Sequence, residues 1–449
     1  MDPDMDQFSA VILAAGRGTR MRSSLPKVLH PLLGLPMLDH VIRQVRLAGA
    51  ADITVVVGHG ADSIRAHLDG SDIRLALQDP PRGTGHAVLE ALDQSPPRFD
   101  TVMIVNGDLP DLDVELLQGI VSSHNNSDHT FTVATSILND PFGMGRIIRD
   151  SEMVSEVGSE GAFDGIVEQK ERAPDDEEIH EVNLGIYALD HKKTLPALRF
   201  LVEEDLSSGD PEKEAYLTRL VEVLKERDLG VGTHDCCVDK EFAQVNDRQQ
   251  LAQASRQIQQ RIQRDHMSRG VTIVDPLTTW IEMDVSIGQD TLIQPQTVIR
   301  RGVEIGTDCE VGPFAHIRSG SVLGNGVVIG DFVEVNRSQL KDGAKAKHLA
   351  YLGDATIEEN ANIGAGAVVA NYDGVNKHHT LIKEGAFVGS GSVIVAPGHV
   401  GKNATIGAGA VVPPGKVIED GTTVIGVPAK KMVKKSQSNS EDGDDEKGS

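Results

Sequence analysis

Two stretches of the 449-residue chain carry residue types that handle phosphate. The first is Gly16-Arg17-Gly18, with Arg20 and Pro26-Lys27 close behind. Glycines at such a turn let backbone N–H groups approach phosphate oxygens without interference from Cβ, and nearby cations supply charge. A tight strand-to-helix turn would use the same glycines, so Gly16-x-Gly18 alone leaves both readings open. Arg20 and Lys27, standing together in a chain of net charge −24, favour phosphate. The second stretch is the apolar run 102–105 followed by Asn106-Gly107-Asp108. A carboxylate at the end of a buried strand suits Mg²⁺ bridging phosphate oxygens, and equally a cap on the next helix.

Such residues need a scaffold. Residues 8–14 (FSAVILA) read as a buried strand opening into the glycine loop. Further apolar runs at 53–57, 73–77 and 102–105 alternate with helical stretches such as 37–47 and 84–92. This alternation predicts a Rossmann-like α/β domain over residues 1–239, with a largely parallel sheet and ligands at the carboxyl ends of its strands.

A different period governs the C-terminal part. From Ile281 every sixth residue is Ile, Leu or Val, through Ile287, Ile293, Ile299, Ile305, Val311, Ile317, Leu323, Ile329 and Val335. The step resumes at Ile382 and runs through Val388, Ile394, Val400, Ile406, Val412, Ile418 and Val424. Neither a helix nor an isolated strand produces that period. A prism with one branched residue pointing inward from each flat face does, and the glycine that often follows sits at a corner. The fold expected over 271–430 is therefore a left-handed parallel β-helix. Between the two runs the register slips near Leu340 and near Ile357, and the polar stretch 371–379 (NYDGVNKHH) is expected to leave the prism as a loop. A lone prism exposes its flanks, so a homotrimer with sites between subunits is the expected assembly.

Composition narrows the function classes. The acidic balance argues against a nucleic acid or an anionic membrane as partner. The three cysteines, Cys236, Cys237 and Cys309, lack metal-ligand spacing and fit a reducing compartment. No stretch approaches the roughly 18 apolar residues of a membrane span, and the N-terminal MDPDMDQ lacks an apolar core, so a cytoplasmic location is expected. Residues 240–270, rich in Gln, Arg and Ala, read as an exposed spacer helix, and the acidic tail 431–449 as disordered.

The segment 13–21 (LAAGRGTRM) with Pro26-Lys27 resembles the signature of sugar-1-phosphate nucleotidylyltransferases. Joined to a hexapeptide β-helix, residues 8 to 430 resemble the bifunctional bacterial N-acetylglucosamine-1-phosphate uridyltransferase/glucosamine-1-phosphate N-acetyltransferase family. The resemblance implies that Leu13, Ala14, Ala15, Gly16, Gln78, Gly83 and Thr84 hold the uridine of UTP. It implies that Arg20 and Lys27 stabilise phosphate charge, that Asp108 and Asn246 hold Mg²⁺, and that Gly145, Glu168 and Asn183 contact the N-acetyl sugar. For the second half it implies His348 as the base that deprotonates the acceptor amine, with Asn371 orienting it or stabilising the oxyanion. Arg318, Tyr351, Asn362 and Lys377 would bind the sugar-1-phosphate, and Ala365, Tyr372, Ser390 and Ala408 would line the acetyl-CoA cleft.

Some positions depart from the family pattern. Asn336 stands where a phosphate-binding lysine is usual, Gly426 where a CoA-contacting arginine is usual, and Asn106 where a tyrosine is usual. An insertion lies around residues 151–163. Two other readings therefore stay open: the same chemistry on a different sugar-1-phosphate, or a non-catalytic regulatory homologue. Arg20, Lys27, Asp108, His348 and Asn371 standing together argue against the latter.

Overall fold

The computed structural model describes residues 7–141, 143–150, 162–168, 179–207, 213–236 and 244–426. Internal contacts divide the chain into two units, residues 1–262 and 263–449.

In the first unit, strand Phe8–Leu13 lies between Ala50–Val57 and Thr101–Asn106 and runs parallel to both. Arg74–Leu77 extends the sheet beyond Ala50–Val57. On the other side Glu181–Asp190 runs antiparallel between Thr101–Asn106 and Phe131–Ile137, and Val231–Asp235 pairs parallel with the latter. Phe8, Ala10 and Ile12 face one core layer, under helices Met37–Leu47 and Val114–Asn125. Val11 faces the other, under helices Thr84–Gln94 and His191–Ser207. A strand covered on both sides has no polar face, hence its unbroken apolar run. Chain order reverses around Phe8–Leu13, because the next strands add on one side and Thr101–Asn106 on the other. The crevice at the carboxyl ends of Leu13 and Asn106 is thus where a ligand belongs. There the Gly107 N–H donates to the Leu13 carbonyl at 2.9 Å and ties the two strand ends together.

The expected exposed spacer is corrected by the structure. A helix forms over Arg248–Ser268, but Ala254 and Ile258 are fully buried and so, nearly, are Gln259, Gln263 and His266. Leu251, Ala254, Ile258 and Ile262 recur at helical spacing and make an apolar stripe that must be covered. Its many Gln and Arg residues mask that stripe in the composition. The boundary between units falls inside this helix. Arg261 pairs with Asp111 and Asp113 in the first unit, whereas Gln263 donates to the carbonyls of Pro276 and Thr279 in the second.

The second unit is a prism of three parallel sheets, whose first strands are Thr272–Ile273, Trp280–Ile281 and Ser286–Ile287. On the second face Ile281, Ile299, Ile317, Val335, Leu352, Val369, Ile394 and Val412 all point inward and are buried. Early coils are 18 residues long, as Ile281 beside Ile299 shows. Two later coils have 17, Leu323 pairing with Leu340 and Leu340 with Ile357. Both deletions fall at the corner between the second and third faces. The following coil expands at that same corner, where Tyr372 bridges Lys377 in a small antiparallel loop before strand Thr380–Ile382. The slips and the loop that the sequence predicts are therefore one corner of the prism. The acidic tail and most of the insertion around 151–163 lie outside the described residues.

Candidate active sites

At the switch point of the first sheet lies a cavity of about 780 Å³. The turn after strand Phe8–Leu13 supplies its floor, Leu13 to Thr19, and Gln78, Gly83 and Thr84 supply one wall. Gly83 sits at φ 96°, and a Cβ there would come within 2.5 Å of the Ala215 carbonyl oxygen. The close approach has a use. Gly85 N–H donates to the Ala215 carbonyl and Leu217 N–H to the Thr84 hydroxyl, which docks the 82–85 loop onto residues 215–217. Gln78 is buried and its Nε2 donates to the Gly83 carbonyl at 2.9 Å, fixing the wall from behind.

Three distant stretches meet at this cavity's polar end. The Lys27 ammonium contacts the Asp108 carboxylate and donates to Asn246 Oδ1 at 3.1 Å. Gln244 Nε2 donates to both Asp108 oxygens, and Val245 N–H donates to the Asp108 carbonyl. Asn246 is thus brought beside Asp108 by backbone as well as side-chain bonds. One carboxylate and one amide oxygen are hard donors of the kind that bind Mg²⁺ when phosphates and water complete its shell, so the pair fits that ion. Arg20 stands on the short helical turn Thr19–Met21, exposed and outside the cavity lining. Arg17 and Arg82 line the cavity instead and make no ion pair among the described residues.

The expected sugar contacts form a second cluster. Asn183 N–H donates to the Gly145 carbonyl at 3.0 Å, and the Asn183 side chain donates to the Tyr187 hydroxyl at 2.7 Å. Burial pushes the Tyr187 phenol up, so it stays protonated. Glu168 accepts from the Thr218 hydroxyl at 2.9 Å. Asn106 joins the clusters, because it lines the cavity and its Nδ2 lies 2.7 Å from where a Cβ on Gly185 would be. Sequence reading missed Arg17, Arg82, Lys213, Tyr216 and Gln244. Arg17 was legible as the residue between the two glycines. Lys213 and Tyr216 come from a stretch with no motif, delivered only by its pairing with residues 82–85.

On the prism the expected residues sort by corner and face. His348, Ala365, Ser390 and Ala408 occupy successive coils of the corner between the first and second faces. The carbonyls of His348, Ala365 and Ser390 accept from Gly366, Gly391 and Gly409 N–H in turn. Arg318, Asn371, Tyr372 and Lys377 belong to the corner between the second and third faces. Tyr351 stands on the second face between Glu334 and Val368, whereas Asn362 stands on the first between Lys345 and Phe387. One chain therefore does not bring Asn362 and Tyr351 to the same face. Arg318 pairs with Glu334 at 2.8 Å. Arg337 grips Asp354 through Nε and Nη2, and its Nη1 donates to Asn336 Oδ1 at 2.9 Å. The guanidinium beside it holds the Asp354 carboxyl below the ordinary carboxylate range.

Comparison with known proteins agrees with this fold. Residues 10–152 match the MobA-like NTP transferase domain. Residues 284–319 and 305–337 match the bacterial transferase hexapeptide (six repeats), and residues 380–414 the hexapeptide repeat of succinyl-transferase. These matches define the class, a nucleotidyltransferase fused to a hexapeptide transferase on a left-handed β-helix. Curated relatives named bifunctional protein GlmU match along nearly the whole length. That of Syntrophomonas wolfei is 38% identical over 90% of this chain and 95% of its own. That of Trichlorobacter lovleyi is 42% identical over 90% and 93%, and that of Brevibacillus brevis 38% over 91% and 93%. The chain belongs to the GlmU family and is a bifunctional transferase.

Proposed function

We propose that the chain synthesises UDP-N-acetylglucosamine in two steps, each on its own unit. In the first, glucosamine-1-phosphate binds the prism through Arg318, Tyr351, Asn362 and Lys377. His348 takes a proton from its amine, the nitrogen attacks the thioester carbonyl of acetyl-CoA, and the C–S bond breaks to release the thiol. Ala365, Tyr372, Ser390 and Ala408 line the acetyl-CoA cleft. In the second, Leu13 to Gly16 with Gln78, Gly83 and Thr84 hold UTP, and Gly145, Glu168 and Asn183 orient N-acetylglucosamine-1-phosphate. Its phosphate oxygen attacks the α-phosphorus in line, the bridging P–O bond breaks and pyrophosphate leaves, with Lys27 and Arg20 offsetting its charge. Asp108 and Asn246 would hold Mg²⁺, which supplies further charge neutralisation on the phosphates.

The observation that carries this reading is the meeting of Lys27, Asp108 and Asn246 at the crevice of a parallel sheet. A chain that only bound a partner would have no use for it. The homotrimer is supported by two features of the prism. Asn362 and Tyr351 lie on different faces, so a neighbouring chain would complete the acceptor site. Phe314, Phe332 and Leu349 also form an exposed ridge at one corner, the two rings stacked at 4.9 Å. Each holds a left-handed backbone, φ 55°, 55° and 54°, unfavourable for such residues; an exposed apolar ridge of this kind suits burial by another copy. Among the described residues no helix is long and apolar enough to cross a membrane; a cytoplasmic enzyme fits the reading.

The test offers purified protein glucosamine-1-phosphate, acetyl-CoA, UTP and Mg²⁺ and follows thiol and pyrophosphate separately. Both should appear, pyrophosphate only after acetylation. Pyrophosphate from N-acetylglucosamine-1-phosphate with no thiol from glucosamine-1-phosphate would remove the acetyl-transfer half.

A further inference from the structure

The corner between the second and third faces is unusual because two consecutive coils each lose one residue there. In the earlier coils that corner turns at Gly302 and Gly320, both left-handed; in the shortened coils it turns at Arg337 and Asp354, also left-handed at φ 51° and 47°. The deletions bring these two side chains into the same column, where they form a two-pronged ion pair at 2.7 and 2.8 Å. The next coil places Asn371 in the column. It is only 6% exposed, and its Nδ2 donates to Asp354 Oδ2. The neighbouring Gly353 makes room, since a Cβ there would meet the Tyr351 hydroxyl at 2.7 Å and Asn371 Cγ at 2.8 Å.

This arrangement fixes which end of the Asn371 amide faces which way. An ionised carboxylate only accepts hydrogen bonds, so the amide must turn its nitrogen to Asp354. Asn371 Oδ1 then has no partner among the described residues, yet it is not sealed from solvent. We propose that Asp354 is a positioning residue for acetyl transfer: it holds the Asn371 amide so that its carbonyl oxygen is presented to the amino sugar as a hydrogen-bond acceptor. Asn371 then orients an N–H or O–H of the acceptor and does not serve as the donor to an oxyanion. Arg337 keeps Asp354 in place and is committed to that task, with Nη1 donating to Asn336 Oδ1. The inference rests on the acetyl-transfer reading of the prism.

The experiment uses the full chain and measures thiol release against glucosamine-1-phosphate and acetyl-CoA concentrations. Pyrophosphate release from N-acetylglucosamine-1-phosphate serves as the control for folding. Asp354→Asn should lower kcat/KM for the amino sugar about tenfold or more, the scale set by a lost orienting bond, while KM for acetyl-CoA holds. The exchange Asp354→Asn with Asn371→Asp reverses donor and acceptor but again leaves an oxygen facing out. It should regain most of what either single change loses. An Asp354→Asn enzyme with unchanged amino-sugar kinetics overturns the inference, as does an exchange variant whose losses merely multiply. A wild-type chain that releases no thiol overturns the acetyl-transfer reading itself, and this inference with it.

Discussion

The two units bring distant residues together by opposite means. In the first, a doubly wound sheet gathers Leu13, Lys27, Gln78 and Asp108 around one cavity, and Asn246 joins Lys27 there across 219 residues of chain. In the second, neighbours along the chain are stacked coil on coil, so position is set by the repeat and candidate residues spread along two corners and two faces. A crevice closes on its ligand within one chain. A prism presents columns, which in the proposed homotrimer a neighbouring chain would complete. The difference teaches that the uridylyl half should depend on local geometry and the acetyl half on assembly.

The largest test of that contrast is reciprocal. Lys27→Ala should slow pyrophosphate release by about a hundredfold or more, the usual cost of removing a preorganised charge from the transition state. His348→Ala should slow thiol release by about a hundredfold or more, as expected for a lost general base. Each should spare the other reaction; parallel loss of both in either variant would mean the units do not act separately.

A smaller effect separates the halves by assembly. Phe332→Glu puts charge on the exposed ridge and should shift the sedimentation profile toward monomer. Thiol release should fall about tenfold or more, because each site loses the facing chain, while pyrophosphate release persists. A monomer with full acetyl transfer would show that one prism suffices.

The smallest concerns pH and the first unit. Burial takes the His124 imidazole down from 6.5 to about 4, and its Nδ1 lies 2.9 Å from the Thr132 hydroxyl. The unfolded chain therefore takes up the proton first as pH falls. The neutral His124 contributes its full stability above about pH 6.5, and that contribution is withdrawn as pH drops toward about 4. Thermal midpoints over this window should fall less steeply in His124→Gln, followed by loss of pyrophosphate-releasing activity on heating. An unaltered slope would mean that His124 is reached by water when folded.

Much of this was legible in the residue order. The six-residue step located the prism, its faces and even the two deletions, because each inward residue touches only the coils before and after it. The apolar run 8–14 and the turn behind it announced the crevice for a related reason, as strand and loop are local features. Other parts were decided only by long-range packing. Nothing near Asn246 signals that Gln244, Val245 and Asn246 would wrap Asp108, and nothing in 213–217 signals docking on Gly83. The burial of Ala254 and Ile258 lies between the two, since the helical spacing of Leu251, Ala254, Ile258 and Ile262 was present in the residue order but hidden in a composition rich in Gln and Arg. The Asp354 column joins both cases: the deletions were visible in the step, but that they align Arg337, Asp354 and Asn371 emerged only when the coils were stacked.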